Sequence, residues 1–223
     1  MLSPNQRAAV GQPRILLTGF DPFGGQPVNP SWMAVEALHG RVIEGHRVVS
    51  AQLPTVFGRS LDVLRELLVR HEPALVVGTG QAGGRPAISL ERIAINVNDA
   101  RIANNAGSQP VDTPVVEGAP AAYFSTLPIK AMLASMLAQG IRADVSQTAG
   151  TFVCNHVFYG LMHVLATEPR WSGVRGGFLH VPWLPQQGQP SMTLEQLATG
   201  LETALACAVR THRDLKMQAG ALN

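Results

Sequence analysis

Cysteine is the residue of this chain whose position most directly suggests chemistry. Cys154 lies in the segment GTFVCNHVFYG, where a predicted strand ends and a predicted helix begins. The free N–H groups and the positive dipole end at a helix start stabilise a thiolate, which is the nucleophilic form. A buried packing residue and a metal ligand are the alternatives, but no second pair of ligands at a suitable spacing accompanies it. The other cysteine, Cys207, lies among alanines in a predicted helix and is interpreted as a packing residue.

A nucleophilic Cys154 needs help to ionise at neutral pH, and a paired histidine can supply it. His156 is close in sequence, but side chains two positions apart on a helix do not face each other. His180 lies at the end of the predicted strand GGFLHVP. Open parallel sheets place their ligand sites at the carboxyl ends of strands. We therefore predict that His180, rather than His156, is the base.

A histidine base also needs an acid that orients its second nitrogen. Between the glycine-rich segment and Cys154 the candidates are Glu91, Asp99 and Asp112, and their spacing does not choose among them. Glu91 has apolar neighbours, which favours a buried and paired role. The alternative for Glu91 is a structural ion pair with Arg92 or Arg101.

The segment GTGQAGG, from Gly78 to Gly84, contains the pattern G-x-G-x-x-G, which also occurs in dinucleotide-binding proteins. That motif requires a helix to open at the third glycine, Gly83. Here Pro86 follows, and then the strand-like run ISLERIAIN. The pattern lacks the Lys-Ser/Thr pair of a phosphate-binding P-loop. Because Asp99 lies at about the distance of a ribose-binding acid, nucleotide binding is kept as a minor rival.

These residues need a scaffold, and short apolar runs alternate with amphipathic helical patterns along the whole chain. Strands are predicted at 14–20, 46–54, 74–80, 88–99, 143–150 and 176–182, and a loop from 103 to about 120. Helices are predicted from the cap at Asn29 to Leu38, at 57–73, 128–140 and 155–168, and from Leu194 to about Arg213 with a capping box of Thr193 and Gln196. The alternation predicts an α/β fold, a single-domain three-layer α/β/α sandwich with a mostly parallel twisted sheet. The predicted division is a polar leader at 1–13, the domain at 14–216 and a tail at 217–223.

The bulk composition narrows the classes of protein. The chain has 223 residues, 46% hydrophobic, with a formal net charge of +2, which suits one globular domain. Its basic residues form no run, so nucleic acid is not an expected partner. No apolar run is long enough to span a membrane, and the N-terminal segment lacks the apolar core of a signal peptide. We expect a cytoplasmic protein whose cysteines remain thiols.

The sequence resembles the pyroglutamyl peptidase I family of cytosolic cysteine peptidases from Arg14 to the last predicted helix. Five collinear segments carry the resemblance: LLTGFDPFGGQPVNPSW, GQAGGRPAISLERIAINVNDARIANNAG, GAPAAYFSTLPIK, TAGTFVCNHVFYGLMH and GGFLHVP. It implies an α/β/α domain, a homotetramer and removal of N-terminal pyroglutamate from peptides, with no cofactor and no metal. By motif it also implies a triad in which Cys154 is the nucleophile, His180 the base and Glu91 the acid.

The resemblance further implies a substrate pocket and an arginine, Arg101, near the reacting carbonyl. The implied pocket residues are Phe20, Phe23, Asn29, Thr55, Gln81, Ile102, Phe152 and Val153. At 102–104 the chain has the segment IAN, in a loop where relatives often have a proline. The rival interpretations are another small cysteine amidohydrolase, a nucleotide-binding domain using the glycine-rich segment, and a binding module without catalysis.

Overall fold

A computed structural model describes residues 11–220 of the chain. Most of the predicted leader at 1–13 and the last three residues of the predicted tail at 217–223 lie outside this range. Within it the strands are β1 (Arg14–Phe20), β2 (Val42–Ile43), β3 (His46–Leu53), β4 (Leu75–Gln81), β5 (Ile88–Glu91), β6 (Ile93–Ile95), β7 (Ala122–Phe124), β8 (Ala143–Ser146) and β9 (Arg175–Val181). The helices are α1 (Pro30–Glu36), α2 (Arg59–His71), α3 (Ile129–Ala138), α4 (Val153–Thr167) and α5 (Leu194–Arg210).

Seven strands form one sheet in the order β2-β3-β1-β4-β9-β5-β8. β1 is parallel to β3 and β4, β4 is parallel to β9, and β5 is parallel to β8. β2 is antiparallel to β3, and β5 is antiparallel to β9. The predicted mostly parallel sheet is therefore confirmed, with antiparallel pairs at two places.

The reversal at β5 has a simple cause. The connection 82–87 between β4 and β5 is too short for the crossover that parallel strands require. The predicted strand 88–99 is also divided at Arg92, whose N–H donates to Ser146 O at 3.0 Å and whose carbonyl accepts from Ser125 N at 2.9 Å. Beyond Arg92 the chain leaves the main sheet, and β6 pairs with β7 in a separate antiparallel sheet that the sequence did not predict.

The helices cover both faces of the main sheet, as predicted. α1, α3 and α5 share one apolar core with residues of the strands, and α2 and α4 share a second core on the opposite face. Alternation along β9 divides its side chains between the two cores, with Leu179 in the first and Phe178 in the second. None of the helices in the described part of the chain is long and apolar enough to cross a membrane.

Two helix ends illustrate how the sequence sets these bounds. The predicted capping box of α5 is confirmed, because Thr193 Oγ1 accepts from Gln196 N at 3.2 Å and Gln196 Oε1 accepts from Thr193 N at 2.9 Å. The helix ends at Arg210, earlier than expected. There the Arg175 guanidinium binds the carbonyls of Ala208 and Thr211 at 2.6 and 2.7 Å, so these carbonyls are satisfied without another helical turn.

Candidate active site

A histidine and a glutamate from neighbouring strands form the buried part of the site. Ser89 of β5 lies opposite His180 of β9 in the antiparallel register, so Glu91, two residues further along β5, is on the same face. Nδ1 of His180 donates to Oε1 of Glu91 at 2.8 Å. Both side chains are almost fully buried, at 5% and 0% exposure. Two antiparallel strands therefore fix the geometry of this pair.

Cys154 reaches the same place from the helix layer that covers this face of the sheet. It is in the first turn of α4, and His180 is the register partner of Gly80 in β4. A Cβ atom at Gly80 would lie 2.6 Å from Sγ of Cys154, so the thiol occupies the space over this glycine. Because Gly80 and His180 are adjacent across the sheet, the thiol lies beside the imidazole. The Nδ1 atom is bound to Glu91, which leaves Nε2 to face the thiol.

The electrostatics of this group favour charged forms. Burial alone would lower the pKa of His180, but the charge and hydrogen bond of Cys154, together with Glu91, raise it to about 9. Burial alone would raise the pKa of Glu91, but the hydrogen bond and charge of His180 and the charge of Arg85 hold it below its ordinary value. At neutral pH the arrangement therefore pairs a His180 imidazolium with the Glu91 carboxylate.

The carboxylate of Glu91 has a second partner that sequence reasoning missed. Arg85 Nη1 lies 2.6 Å from Glu91 Oε1, and Arg85 Nη2 donates to Thr148 O at 3.1 Å. The ion-pair alternative that named Arg92 is wrong, because the Arg92 guanidinium binds Gln147 Oε1 and the carbonyl of Ala219. Arg85 stands in a Gly-Gly-Arg-Pro turn, and only the fold brings it to the acid.

His156 has a different environment. Its Nδ1 donates to Asn98 Oδ1 at 2.9 Å, and its Nε2 accepts from the N–H of Gly58 at 2.9 Å. Its ring packs edge-on against Phe57 with centroids 5.3 Å apart. Burial lowers the pKa of His156 to about 4. It is thus a neutral core histidine with both nitrogens satisfied, which explains why its closeness to Cys154 in sequence has no chemical meaning.

A cavity of about 470 Å³ opens beside Cys154 and His180. It is lined by five of the other predicted residues, Phe23, Gln81, Arg101, Ile102 and Phe152. The rings of Phe23 and Phe152 have centroids 6.0 Å apart and form an aromatic wall. Sequence reasoning missed other lining residues, among them Gly83, Arg85 and the 148–151 segment. Asp99, considered as the acid, also lines the cavity, whereas the third candidate, Asp112, is exposed and outside it.

Four predicted pocket residues, Phe20, Asn29, Thr55 and Val153, do not line this cavity. Phe20 and Val153 lie in the apolar core between α4 and the sheet. Asn29 caps α1 by accepting from Ser31 N at 3.0 Å, and its Nδ2 donates to Asp21 O at 2.9 Å. The N–H of Thr55 donates to Asp21 Oδ1 at 2.7 Å. Asn29 and Thr55 therefore hold the loop after β1, which carries Phe23.

The structure removes the basis for the dinucleotide motif. Gly78 and Gly80 lie within β4, and the chain continues through a turn into β5 rather than into a helix. A Cβ at Gly78 would meet the Phe178 ring at 2.6 Å, and one at Gly83 would overlap the Trp183 ring. These glycines make room for side chains of the protein, so the spacing of the motif is coincidental.

The start of α4 can bind negative charge. Its N-cap residue, Phe152, makes no side-chain hydrogen bond to the helix, and the preceding Thr148–Thr151 segment lines the cavity. The N–H groups of the first turn are thus available to a developing oxyanion next to Sγ. A cysteine, a histidine, an acid and such a helix start are the components of acyl transfer by a thiol.

The family model described as pyroglutamyl peptidase matches residues 13–211. The chain belongs to the pyroglutamyl peptidase family. Curated relatives extend this family assignment over nearly the whole chain. Pyrrolidone-carboxylate peptidase of Cupriavidus taiwanensis is 58% identical over 216 residues, which cover 95% of this chain and 100% of that protein. The corresponding peptidase of Klebsiella pneumoniae is 56% identical over 212 residues, covering 93% and 98%.

Solved structures of pyroglutamyl peptidases have the same fold. Pyroglutamyl peptidase I of Bacillus amyloliquefaciens aligns with a TM-score of 0.89 at 47% identity, covering 92% of this chain and 100% of that one. The pyrrolidone carboxyl peptidase of Thermococcus litoralis aligns with a TM-score of 0.88 at 33% identity, covering 92% and 99%. The α/β fold is therefore that of the family.

Proposed function

We propose that this chain is a cysteine exopeptidase that removes N-terminal pyroglutamyl residues from peptides through an acyl-enzyme. Its family is one of cysteine peptidases, and removal of N-terminal pyroglutamate is the known activity of that family. The observation that carries the proposal for this chain is the His180–Glu91 pair, joined at 2.8 Å beside a thiol at a helix start.

The proposed reaction begins with attack of the Cys154 thiolate on the pyroglutamyl carbonyl. A C–S bond forms, and the carbonyl oxygen becomes an oxyanion that the N–H groups at the start of α4 stabilise, with Arg101 nearby. When the C–N bond breaks, the His180 imidazolium gives its proton to the leaving amine. His180, now neutral, then takes a proton from water, whose oxygen attacks the thioester and releases pyroglutamate and the thiolate. Glu91 keeps the proton on Nδ1 throughout.

Recognition of the ring is proposed to combine shape with hydrogen bonding. Phe23 and Phe152 supply flat apolar walls, and Ile102 adds an aliphatic side chain to the lining. Gln81 and Arg101 are the polar groups among the matched lining residues. We propose that Phe20, Asn29, Thr55 and Val153 contribute from behind this lining by holding Phe23 and Phe152. A cavity of about 470 Å³ has room for a five-membered lactam and the start of the peptide.

A fluorogenic assay tests the proposal. Pyroglutamyl, prolyl and glutamyl amides of one fluorophore are compared by kcat/KM. A site that hydrogen-bonds the lactam carbonyl rejects the prolyl amide by roughly 10⁴-fold or more, because its polar groups are left unpaired. The glutamyl amide carries an ammonium group and a carboxylate in place of the neutral lactam, and the cost of removing both charges from water should also disfavour it. Hydrolysis of the prolyl amide within tenfold of the pyroglutamyl amide would contradict recognition of the lactam, and no turnover of any amide would contradict the activity itself.

We also propose that the chain acts as a homotetramer in the cytoplasm and that its domain spans 14–216. The resemblance supports the tetramer, and large exposed apolar side chains such as Phe124, at 64% exposure, offer surface for assembly. Cys154 and Cys207 are both free, which suits a reducing compartment. Light scattering on the purified chain measures the assembly; a monomer at micromolar concentration would contradict it.

A further inference from the structure

The two oxygens of the Glu91 carboxylate differ in their hydrogen-bond partners. Oε1 receives both the His180 Nδ1–H at 2.8 Å and the Arg85 Nη1–H at 2.6 Å. Oε2 is buried and has no hydrogen-bond partner among the described residues. Glu91 is fully buried, whereas the Arg85 side chain is 30% exposed. The charge of a buried carboxylate is costly unless it is paired, and Arg85 adds to the larger effect of His180 in keeping Glu91 ionised.

The second arm of the same guanidinium reaches the segment that leads to the nucleophile. Arg85 Nη2 donates to Thr148 O at 3.1 Å, and the Thr148 side chain accepts from Gly150 N at 3.0 Å. This segment runs directly into α4, where Cys154 lies. One planar fork therefore ties the acid to the loop before the thiol. A lysine ammonium has a single nitrogen and lacks this fixed fork.

The backbone around Arg85 is built to bring it there. Gly83 packs against the ring of Trp183, with room for no Cβ, and Gly84 has a φ of +86°, which favours glycine. The two glycines turn the chain after β4, and from this turn the Arg85 side chain reaches Glu91 of β5. Arg92, next to Glu91 in sequence, binds Gln147 instead and makes no contact with the acid.

We propose that Arg85 is a positioning residue for the reaction: it fixes the Glu91 carboxylate against His180 and ties it to the loop that leads to Cys154. This inference rests on the proposed function. It follows that removal of Arg85 weakens the chemical step rather than ground-state binding. Because the charge of Arg85 lowers the pKa of Glu91, its removal also raises that pKa, and the acid limb of the kcat profile moves to higher pH.

The test measures kcat, KM and the pH profile for a pyroglutamyl amide in the wild type, R85M, R85K and the control R92M. We expect kcat of R85M to fall roughly 10- to 100-fold, the usual effect of losing a hydrogen bond to a charged group, with KM nearly unchanged. R85K retains the charge but not the fork, so its acid limb should stay near that of the wild type while kcat is intermediate. R92M removes a neighbouring arginine without touching Glu91 and should keep both the acid limb and kcat.

The outcomes separate the two proposals. An inactive wild type overturns the proposed function, whereas an active wild type with R85M unchanged in kcat and in its acid limb overturns only the role of Arg85. A loss in R85M that appears in KM alone also overturns it. If R85M does not fold, as judged by its thermal unfolding, R85K decides: wild-type kcat in R85K contradicts the need for the fork. A shift of the acid limb in R92M equal to that in R85M would likewise contradict the assignment.

Discussion

Nδ1 of His180 lies 2.8 Å from Oε1 of Glu91, although 89 positions separate the two residues in the chain. The antiparallel pairing of β5 with β9 makes them neighbours on one face of the sheet. If β5 ran parallel to β9, the direction and register of β5 would differ. Glu91 would then not lie next to His180. The short turn after β4, which forces this reversal, is thus a condition for the acid–base pair.

Replacement of Cys154 by serine should abolish turnover while the fold survives. Removal of the nucleophile of a catalytic triad costs on the order of 10⁶-fold in kcat, and the two side chains are similar in size. Iodoacetamide should label Cys154 before Cys207, which is buried in α5 at 6% exposure. Mass spectrometry of the alkylated protein measures both sites, with C207S as the control. Equal labelling of the two thiols in the native protein would contradict the assignment.

His180→Ala should lower kcat by about 10²- to 10⁴-fold, the usual range for loss of a general acid–base group. His156→Gln is the matched comparison, since a glutamine amide can donate to Asn98 Oδ1 and accept from Gly58 N in place of the imidazole. We expect nearly full turnover in this variant. Steady-state kinetics measure both variants. An inactive His156→Gln protein with wild-type thermal unfolding would mean that His180 had been wrongly assigned as the base.

Glu91→Gln should reduce kcat and move the alkaline limb of the pH profile to lower pH. The pKa of His180 is raised to about 9 partly by Glu91, so removal of that charge lets His180 lose its proton at lower pH. The sign is thus opposite to the effect expected for R85M, which moves the acid limb upward. Rates measured between pH 5 and about 10 would show this alkaline limb. An unchanged alkaline limb would mean that Glu91 does not stabilise the imidazolium.

His156 should make the fold sensitive to acid. Its pKa is about 4 in the folded state against 6.5 for an ordinary histidine, so the unfolded chain takes up the proton first. Stability linked to His156 is therefore complete above about pH 6.5 and is lost as the pH falls towards 4, by up to roughly 3 kcal/mol. Urea unfolding at pH 7.5 and 5 should show a larger loss in the wild type than in His156→Gln. Equal losses in both proteins would refute this.

Gly80→Ala should disturb the thiol specifically. The added methyl carbon would lie 2.6 Å from Sγ of Cys154, so the sulfur or α4 must shift. Gly78→Ala, in the same strand, meets the Phe178 ring instead and serves as the control. Overpacking should cost both variants about 1–3 kcal/mol of stability. Only Gly80→Ala should also slow alkylation of Cys154 and lower kcat, and equal effects of the two variants would show that packing alone is responsible.

Local features of this chain were predictable because they depend on nearby residues. The apolar run RILLTGF located β1, and Thr193 with Gln196 marked the start of α5, both as the structure has them. Such local patterns also placed His156 on a helix and His180 on a strand. Non-local features were not accessible. Spacing did not choose Glu91 among the acids, because the choice depends on the register of β5 against β9.

Arg85 shows the limit most clearly. In sequence it is one residue of a glycine- and proline-rich turn, and such turns usually only reverse the chain. Its partner, Glu91, is six positions away, a separation with no meaning for a helix or a single strand. The contact exists because the turn folds back over β5. A signal was present in the two glycines before it, since they permit this path, but they do not specify where the guanidinium ends.

The acid and base belong to paired strands of the sheet, whereas Phe23, Arg101 and Ile102 belong to connecting segments. Loops tolerate substitution and insertion far better than paired strands do. Reactivity and much of the selectivity therefore depend on different parts of the backbone. Directed evolution toward other N-terminal acyl groups can begin with libraries at Phe23 and Ile102, leaving Arg101 near the oxyanion and the sheet with its acid and base untouched.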